Sequence, residues 1–329
     1  MAVFFSLILV LLLSAAGYFG GSTAGTFFGI IVPYAAIAVF LIGIIYRITR
    51  WANTPVPFRI PTTSGQQKSL PWIKSSRLDN PSSGMGAIIR MALEVLLFRS
   101  LFRNTKAEIV KEGPRLVFGE SKFLWLAAMA FHWTFLFILL RHLRFFIEPI
   151  PGCVLIAQEL DGFFQIGTPV LYMTDLVILA ALAFLLIRRL ANAQVRYFSL
   201  FADYFALFLL LGLALSGVIL RYFVKTDIPG IKELAMGLVT FSPAVPDGID
   251  PIFYIHLFLL SVLVAYFPFS KLMHMGGVFL SPTRNLANNN RMKRHVNPWD
   301  YPVKVHTYDE WEEEFKDKIK AAGLPLEKV

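Results

Sequence analysis

The stretch FLWLAAMAFHWTFLFILLRH, residues 123–142, decides what kind of protein this chain is. It carries no Asp, Glu, Lys or Arg before Arg141, and a helix needs about 20 largely apolar residues to cross a bilayer. His132 lies in the middle of this run and His142 lies at its end. Ionisable side chains inside such a run are costly, so they mark it as a membrane helix with a functional role.

The whole chain shares this apolar character. Of its 329 residues, 56% are hydrophobic and 16% are charged, and the mean hydropathy is +0.60. A soluble domain has roughly 45–50% apolar and about 25% charged residues. We therefore interpret the chain as an integral membrane protein, which excludes a disordered chain and a disulfide-stapled secreted module. The net charge of +9 does not indicate nucleic-acid binding, because the basic residues lie between the apolar runs.

Six apolar runs predict an all-α fold with six transmembrane helices. The expected spans are about 2–18, 26–46, 122–143, 168–188, 203–222 and 251–273. The glycine-rich stretch from Gly17 to Gly25 is interpreted as the division between the first two. Ser14-Ala15-Ala16 resembles a signal-peptide cleavage site, but the run lacks a positive n-region, so we expect an uncleaved helix.

The basic residues predict the orientation. They crowd into 47–122, 188–196 and the tail that follows Lys271, whereas 145–167 contains only acidic charges. By the positive-inside rule, these basic segments and both termini lie in the cytoplasm of a multi-pass protein of the cell membrane. The expected organisation is 1–46 (two N-terminal helices), 47–121 (a cytoplasmic loop with an amphipathic helix at Met85–Arg103), 122–274 (a bundle of the other four spans) and 275–329 (a cytoplasmic tail).

Four histidines lie on two of the spans. His132 and His142 belong to the third, and His256 and His274 belong to the sixth. Because these two helices run in opposite directions, His132 matches His274 near the cytoplasm and His142 matches His256 near the outside. Two such pairs suit two bis-imidazole haems b, although an interhelical hydrogen bond explains any single histidine. The lone Cys153 excludes haem attached through Cys-x-x-Cys-His.

The histidine spacings differ between the two helices. Ten residues of straight helix rise about 15 Å, whereas the eighteen between His256 and His274 rise about 27 Å. We expect helix tilt and a kink at Pro268 to absorb the difference.

The motifs around these histidines resemble a known family. His-x9-His on one span and His-x17-His on a later one, with PFSKLMHM at 268–275, resemble the gamma (cytochrome b, NarI-like) subunits of respiratory nitrate reductases. The sequence HMGGVFLSPTRNL at 274–286, followed by ANNNRMK, is more similar to the DsrM family. DsrM proteins are the membrane cytochromes b of the sulfite-reduction-associated complex, also described as Hdr-like menaquinol-oxidising. The resemblance covers about 120–300, and the extra first span and the loop 47–121 depart from the nitrate-reductase pattern.

This resemblance implies a cofactor set and partners. The four histidines would ligate two haems b, with His132 and His274 on the inner iron and His142 and His256 on the outer iron. Menaquinone would be the substrate. The cytoplasmic end would meet an iron–sulfur subunit related to heterodisulfide reductase, and further membrane and extracytoplasmic redox subunits would complete the complex.

Other polar residues near the outer haem are candidates for quinone chemistry. Asp175 is a candidate proton acceptor from quinol, or an N-cap of the fourth span with Thr174. Arg141, Arg144 and Arg221 are candidates to contact a quinone head group or a haem propionate, or they snorkel to the interface. His295 and His306 lie in the polar tail and are interpreted as surface residues.

The sequence therefore predicts a quinone-dependent oxidoreductase subunit that carries electrons between menaquinone and an iron–sulfur partner. It is linked by resemblance to dissimilatory sulfur metabolism. The alternatives are a transporter with a histidine proton relay and no cofactor, and the cytochrome b of a nitrate-reductase-type complex.

Overall fold

Long apolar runs form the long helices of the computed structural model, which describes residues 1–54, 66–103, 105–110, 115–162, 170–292 and 305–327. Within this part of the chain, five helices are long and apolar enough to cross a membrane. These are Ala2–Thr23, Phe27–Ala52, Lys122–Phe145, Phe201–Tyr222 and Pro251–Phe269. They match five of the six predicted spans, and the predicted all-α membrane fold is confirmed.

The elements follow one another in this order. The first half contains α1 (Ala2–Thr23), a π-helical turn (Phe27–Ile31), α2 (Val32–Ala52), α3 (Gly84–Leu97), α4 (Arg99–Phe102), β1 (Thr105–Val110), β2 (Arg115–Glu120), α5 (Lys122–His142) and α6 (Gly152–Asp161). The second half contains α7 (Met173–Ala191), α8 (Ala193–Phe198), α9 (Phe201–Tyr222), α10 (Ile228–Val239), α11 (Pro251–Tyr266), α12 (His274–Leu280), α13 (Pro282–Asn285) and α14 (Tyr308–Ala321).

The predicted fourth span, 168–188, is helix α7, but it begins later, at Met173. Asp175, Arg188 and Arg189 lie near its two ends. With three charged residues among its 19, α7 is more polar than the five helices named above. It packs between α5 and α9, so it belongs to the same bundle as the recognised spans.

The glycine-rich stretch does not end the first helix at 18, as the sequence suggested. Helix α1 continues to Thr23, and its glycines allow a close approach to α11. A Cβ on Gly21 would lie 2.2 Å from Cγ of Tyr254, and one on Gly17 would lie 3.0 Å from Cα of Ile255. Glycines four residues apart are the usual means by which membrane helices bring their backbones together.

The interior of the bundle is apolar, and so is much of its outer surface. The buried cluster centres on residues such as Leu182, Tyr204 and Leu209, which join α7 and α9 to α1 and α11. Large apolar side chains such as Ile42 (68% exposed) and Phe123 (78% exposed) point outward. Outward-facing apolar side chains on long helices are expected where lipid replaces water as the solvent.

The structure of the long loop 47–121 was predicted only in part. The amphipathic helix expected over Met85–Arg103 is present, but it breaks into α3 and α4 at Phe98, whose φ is 48°. The antiparallel hairpin of β1 and β2, with Thr105 paired to Glu120 and Val110 to Arg115, was not predicted. The short apolar runs 109–110 and 116–118, which contain β-branched and aromatic residues on either side of the turn residues Gly113-Pro114, were the signal that could have indicated it.

The tail returns to this loop. Arg284 lies 3.2 Å from Glu94 of α3, and the backbone N–H of Asn288 donates to the carbonyl of Pro81 at 2.7 Å. We call residues 66–103 together with 281–291 the loop–tail platform. Further along, α14 begins with a capping box of Thr307 and Glu310, and Gly323 follows the helix with φ 69°. His295 lies outside the described residues.

Candidate functional site

The inner histidine pair joins α5 to the start of α12. The ring centroids of His132 and His274 lie 6.0 Å apart, and the two ring planes are at 85°. Phe98, at the break between α3 and α4, packs edge-on against His132 at 4.9 Å. The loop–tail platform therefore reaches this pair directly.

The outer pair joins the last residue of α5 to the first half of α11. The ring centroids of His142 and His256 lie 6.3 Å apart, and their planes are nearly parallel, at 11°. The order of the histidines along α5 is the reverse of their order along α11 and α12, so the helices are antiparallel. The structure thus brings together the two pairs that the sequence predicts.

The unequal spacings are accommodated by a break in the sixth span. Helix α11 ends at Tyr266, and the 3₁₀ turns Phe267–Phe269 and Lys271–Met273 follow it. Pro268 lies in the first turn, and Ser270 between the turns is fully extended, with ψ 176°. The kink expected at Pro268 is confirmed, and it brings His274 level with His132.

Hydrogen bonds fix the same nitrogen on all four rings. The Nδ1 atoms of His132, His142 and His274 lie 2.7, 2.7 and 2.8 Å from the carbonyl oxygens of Ala128, Ile138 and Lys271. Nδ1 of His256 lies 3.0 Å from Oγ of Ser216. A carbonyl can only accept, so Nδ1 carries the proton in the first three rings. Nε2 then keeps its lone pair, which is the state of a histidine that binds a metal.

The spacing of each pair fits an iron held between two imidazoles. A metal–nitrogen bond of about 2.0 Å and about 1.2 Å from nitrogen to ring centre place the centroids of two axial imidazoles about 6.4 Å apart. The measured 6.0 and 6.3 Å are close to this distance. Both pairs therefore fit a bis-histidine haem.

A cavity of about 610 Å³ surrounds the outer pair. Small-molecule and cofactor sites have volumes of about 300–1,000 Å³ and mostly apolar walls with a few placed polar groups. Here the walls are mainly apolar side chains of α5, α7, α9, α10 and α11. The polar side chains of the lining, which we call its polar side, include Arg141, Arg144, Gln158, Asp175 and Arg221.

Two buried donors on this polar side have no partner within the described residues. They are Nε of Arg221 and Nε2 of Gln158. A buried unpaired donor is costly, so such groups point to a missing acceptor. A carboxylate, such as a haem propionate, is an acceptor of the required charge and geometry.

Arg141 does not snorkel to the interface. Its side chain is only 8% exposed, and its Nε and Nη2 lie 3.0 Å from Asp161 and 2.9 Å from Asp175. The guanidinium also lies over the ring of Tyr172, 3.8 Å from the centroid, and Arg221 lies at the same distance from that ring. Arg141 thus connects α5 to α6 and α7 immediately before His142.

Asp175 is not the N-cap of α7, and that alternative is wrong. The helix begins after Tyr172, and the carboxylate that accepts the backbone N–H of Thr174, at 2.8 Å, belongs to Asp161. Asp175 instead accepts from Arg141 and, at 2.8 Å, from the hydroxyl of Tyr222. Sequence reasoning missed Asp161 as a site residue because it lies on the short helix α6, outside any predicted span.

The remaining candidates lie apart from both pairs. His306 lies 3.4 Å from Glu314 of α14, in the tail, as expected for a surface residue. Cys153 is exposed at the start of α6. Among the described residues, no group of three or more His, Cys, Asp or Glu side chains is placed to hold a bare metal ion.

Comparison with known proteins identifies the family of this chain. The sequence model of the nitrate reductase gamma subunit family matches residues 90–294, which include all four paired histidines. The chain belongs to this family.

Two curated relatives share one name. An Hdr-like menaquinol oxidoreductase cytochrome b-like subunit of Archaeoglobus fulgidus is 49% identical over 283 residues, covering 84% of each chain. The protein of the same name from Archaeoglobus profundus is 43% identical over 276 residues, covering 82% of this chain and 81% of its own. The resemblance stated from the histidine motifs is confirmed, and the chain is a predominantly helical membrane protein of the electron-transport class.

Proposed function

We propose that this chain is the dihaem cytochrome b subunit of a menaquinol-oxidising membrane complex. One observation carries the proposal: two histidine pairs have the centroid separation of axial haem ligands, and their Nδ1 atoms are already hydrogen-bonded. The names of the two relatives, which include both menaquinol oxidoreductase and cytochrome b, support the same function. They favour it over the nitrate-reductase alternative.

The histidines divide between two centres. His142 and His256 would hold the outer haem b, and His132 and His274 the inner one. Bound haem supplies one-electron redox chemistry at its iron. The two ligand positions on α5 are ten residues apart, which is about 15 Å of helix rise. The bundle would therefore hold the two centres close enough for electrons to cross the membrane.

The polar side of the outer cavity would handle the protons. Oxidation of one menaquinol to menaquinone releases two electrons and two protons. Asp175 lines the cavity, and its carboxylate can accept a proton, which Tyr222 would help to relay because its hydroxyl contacts the same carboxylate. Arg141 would hold Asp175 in place and set the local positive charge. The same groups would serve quinone reduction if electrons flowed the other way.

The basic loops support a cytoplasmic location for both termini and for the inner pair. In this orientation the loop–tail platform would face a cytoplasmic iron–sulfur subunit related to heterodisulfide reductase. We propose the predicted division at 46, 121 and 274 into N-terminal helices, loop, bundle and tail, with α2 extending to Ala52. Further membrane and extracytoplasmic subunits, and a link to dissimilatory sulfur metabolism, would follow from the DsrM resemblance.

The test is the haem content of the purified protein. We expect two haems b per chain by pyridine haemochrome and iron analysis, and a reduced-minus-oxidised spectrum that menaquinol produces. A protein that folds and purifies without haem would favour the proton-relay transporter. A single haem per chain would contradict the dihaem assignment and leave one pair as an interhelical contact.

A further inference from the structure

The hydrogen bond at His256 differs from those at the other three rings. His132, His142 and His274 each bond a carbonyl three or four residues earlier in their own segment. His256 instead bonds a side chain on another helix, the hydroxyl of Ser216 on α9, and the backbone carbonyl of Leu213 on the same helix also interacts with its ring.

The direction of this bond follows from the second contact of the hydroxyl. Oγ of Ser216 lies 2.9 Å from the carbonyl oxygen of Leu213, so its single proton is donated there. The hydroxyl oxygen is then free to accept from Nδ1–H of His256. Because Ser216 is only 5% exposed, water does not compete for either bond.

The next residue makes room for the ring. A Cβ on Gly217 would lie 3.2 Å from Cε1 and 3.6 Å from Nδ1 of His256. The first distance is tighter than ordinary van der Waals contact, so a side chain here would press on the edge of the imidazole. Ser216 and Gly217 together define where the ring of His256 can lie.

We propose that Ser216 and Gly217 are positioning residues for His256, and that they set the potential and the ligand-plane geometry of the outer haem. The inference rests on the proposed dihaem function. A hydrogen bond from Nδ1–H makes the imidazole a stronger donor to iron and favours the oxidised state. The orientation of the imidazole planes would determine the energy splitting of the iron d orbitals.

The two pairs should then give different magnetic signatures. Each imidazole plane contains its own bond to iron, so the angle between the planes is the twist about the ligand axis. Nearly parallel planes, as in the outer pair at 11°, act on the same d orbital and give a rhombic low-spin ferric spectrum. Nearly perpendicular planes, as in the inner pair at 85°, leave two d orbitals almost degenerate and give a highly anisotropic signal.

The experiment compares four variants of the full chain by redox titration and electron paramagnetic resonance. Ser216→Ala should raise the midpoint potential of the outer haem and leave the inner haem unchanged, and Ser216→Thr should restore the wild-type value. Gly217→Ala should keep the outer haem but move its rhombic signal toward the anisotropic type. Ser261→Ala is the matched control, because Ser261 is also buried in a span but bonds only the carbonyl of Leu257.

Each outcome decides the inference. Loss of the outer haem in Ser216→Ala, with retention in Ser216→Thr and Ser261→Ala, also supports it. The inference is overturned if Ser216→Ala keeps two haems with an unchanged midpoint potential of the outer haem. It is also overturned if Ser261→Ala shifts that potential equally. The proposed function stands in both cases. A wild-type protein without haem overturns both.

Discussion

Arg141 and Asp175 form a buried ion pair in which Nη2 and Oδ1 lie 2.9 Å apart. Arg141 directly precedes His142 on α5. The pair couples the polar side of the outer cavity to a proposed iron ligand. Since Asp161 contacts the same guanidinium at 3.0 Å, one cation is shared between two carboxylates. The predictions below begin with the histidines and then test this cluster.

The histidine pairs should be lost as pairs. Replacing His142 or His256 with Ala should remove the same low-spin haem and about half of the iron, because one axial ligand alone does not hold a bis-imidazole haem. Replacing His132 or His274 should remove the other haem. Electron paramagnetic resonance and iron analysis measure which haem signal is lost and how much iron remains. His306→Ala is the control and should retain both haems. A spectral species shared by His132 and His256 would contradict the antiparallel assignment.

Arg141→Leu should destabilise the protein strongly. It leaves the carboxylates of Asp161 and Asp175, whose side chains are 1% and 14% exposed, without their cation. Breaking a buried ion pair by removing one partner costs about 3–5 kcal/mol. Thermal unfolding in detergent measures the effect. Arg144→Leu is the matched control, because Arg144 lines the same cavity but has no ion pair within the described residues. Equal stability of the two variants would show that the shared cation is not needed.

Asp175→Asn should slow menaquinol oxidation while the haem spectrum stays intact. The amide keeps most of the contacts of the carboxylate but cannot take up a proton. Loss of a general base typically lowers a rate by about 100-fold or more. Stopped-flow reduction by a menaquinol analogue measures the rate, and Asp247→Asn, at an exposed loop position, is the control. An unchanged rate would return Asp175 to a purely structural role beside Arg141.

A chain that ends after Leu280 should keep both haems and lose the iron–sulfur subunit. The deletion removes the Arg284–Glu94 ion pair and the bond from Asn288 to Pro81, and with them one half of the loop–tail platform. A chain that ends after Arg291 retains both contacts and should keep the subunit. Co-purification at defined stoichiometry measures the difference. Normal stoichiometry with the shorter chain would place the docking surface elsewhere.

The sequence was sufficient for the two histidine pairs for a simple reason. When four histidines lie on two antiparallel apolar helices, only one way of pairing them joins residues at the same depth in the membrane. That pairing follows from the direction of the helices. The spacing of 18 residues was harder to explain, because the two 3₁₀ turns and the extended Ser270 depend on local backbone choices. Pro268 indicated a kink but not its extent.

The polar groups around the pairs were less predictable. Depth alone correctly placed Arg141 and Asp175 together, but it gave no sign of Asp161, which comes from a helix outside the spans. Ser216 carried no signal either, since serine is common in membrane helices and its role depends on which helix it faces. Contacts between helices that are distant in sequence are set by packing, which periodicity does not report.

The positions of the paired histidines along the chain also have a consequence for biogenesis. Each pair takes one imidazole from α5 and the other from α11 or α12, which come last in the bundle. The close contact between the glycines of α1 and Tyr254 also forms only when α11 is present. At a synthesis rate of about 5–20 residues per second, the ribosome needs several seconds or more to get from His142 to His274. During that interval α1 and α5 lie in the membrane without their contacts to α11 and α12. Any group held between the pairs can therefore enter only after the final helix has been inserted, so loading of the inner and outer centres becomes a late and nearly simultaneous step in assembly.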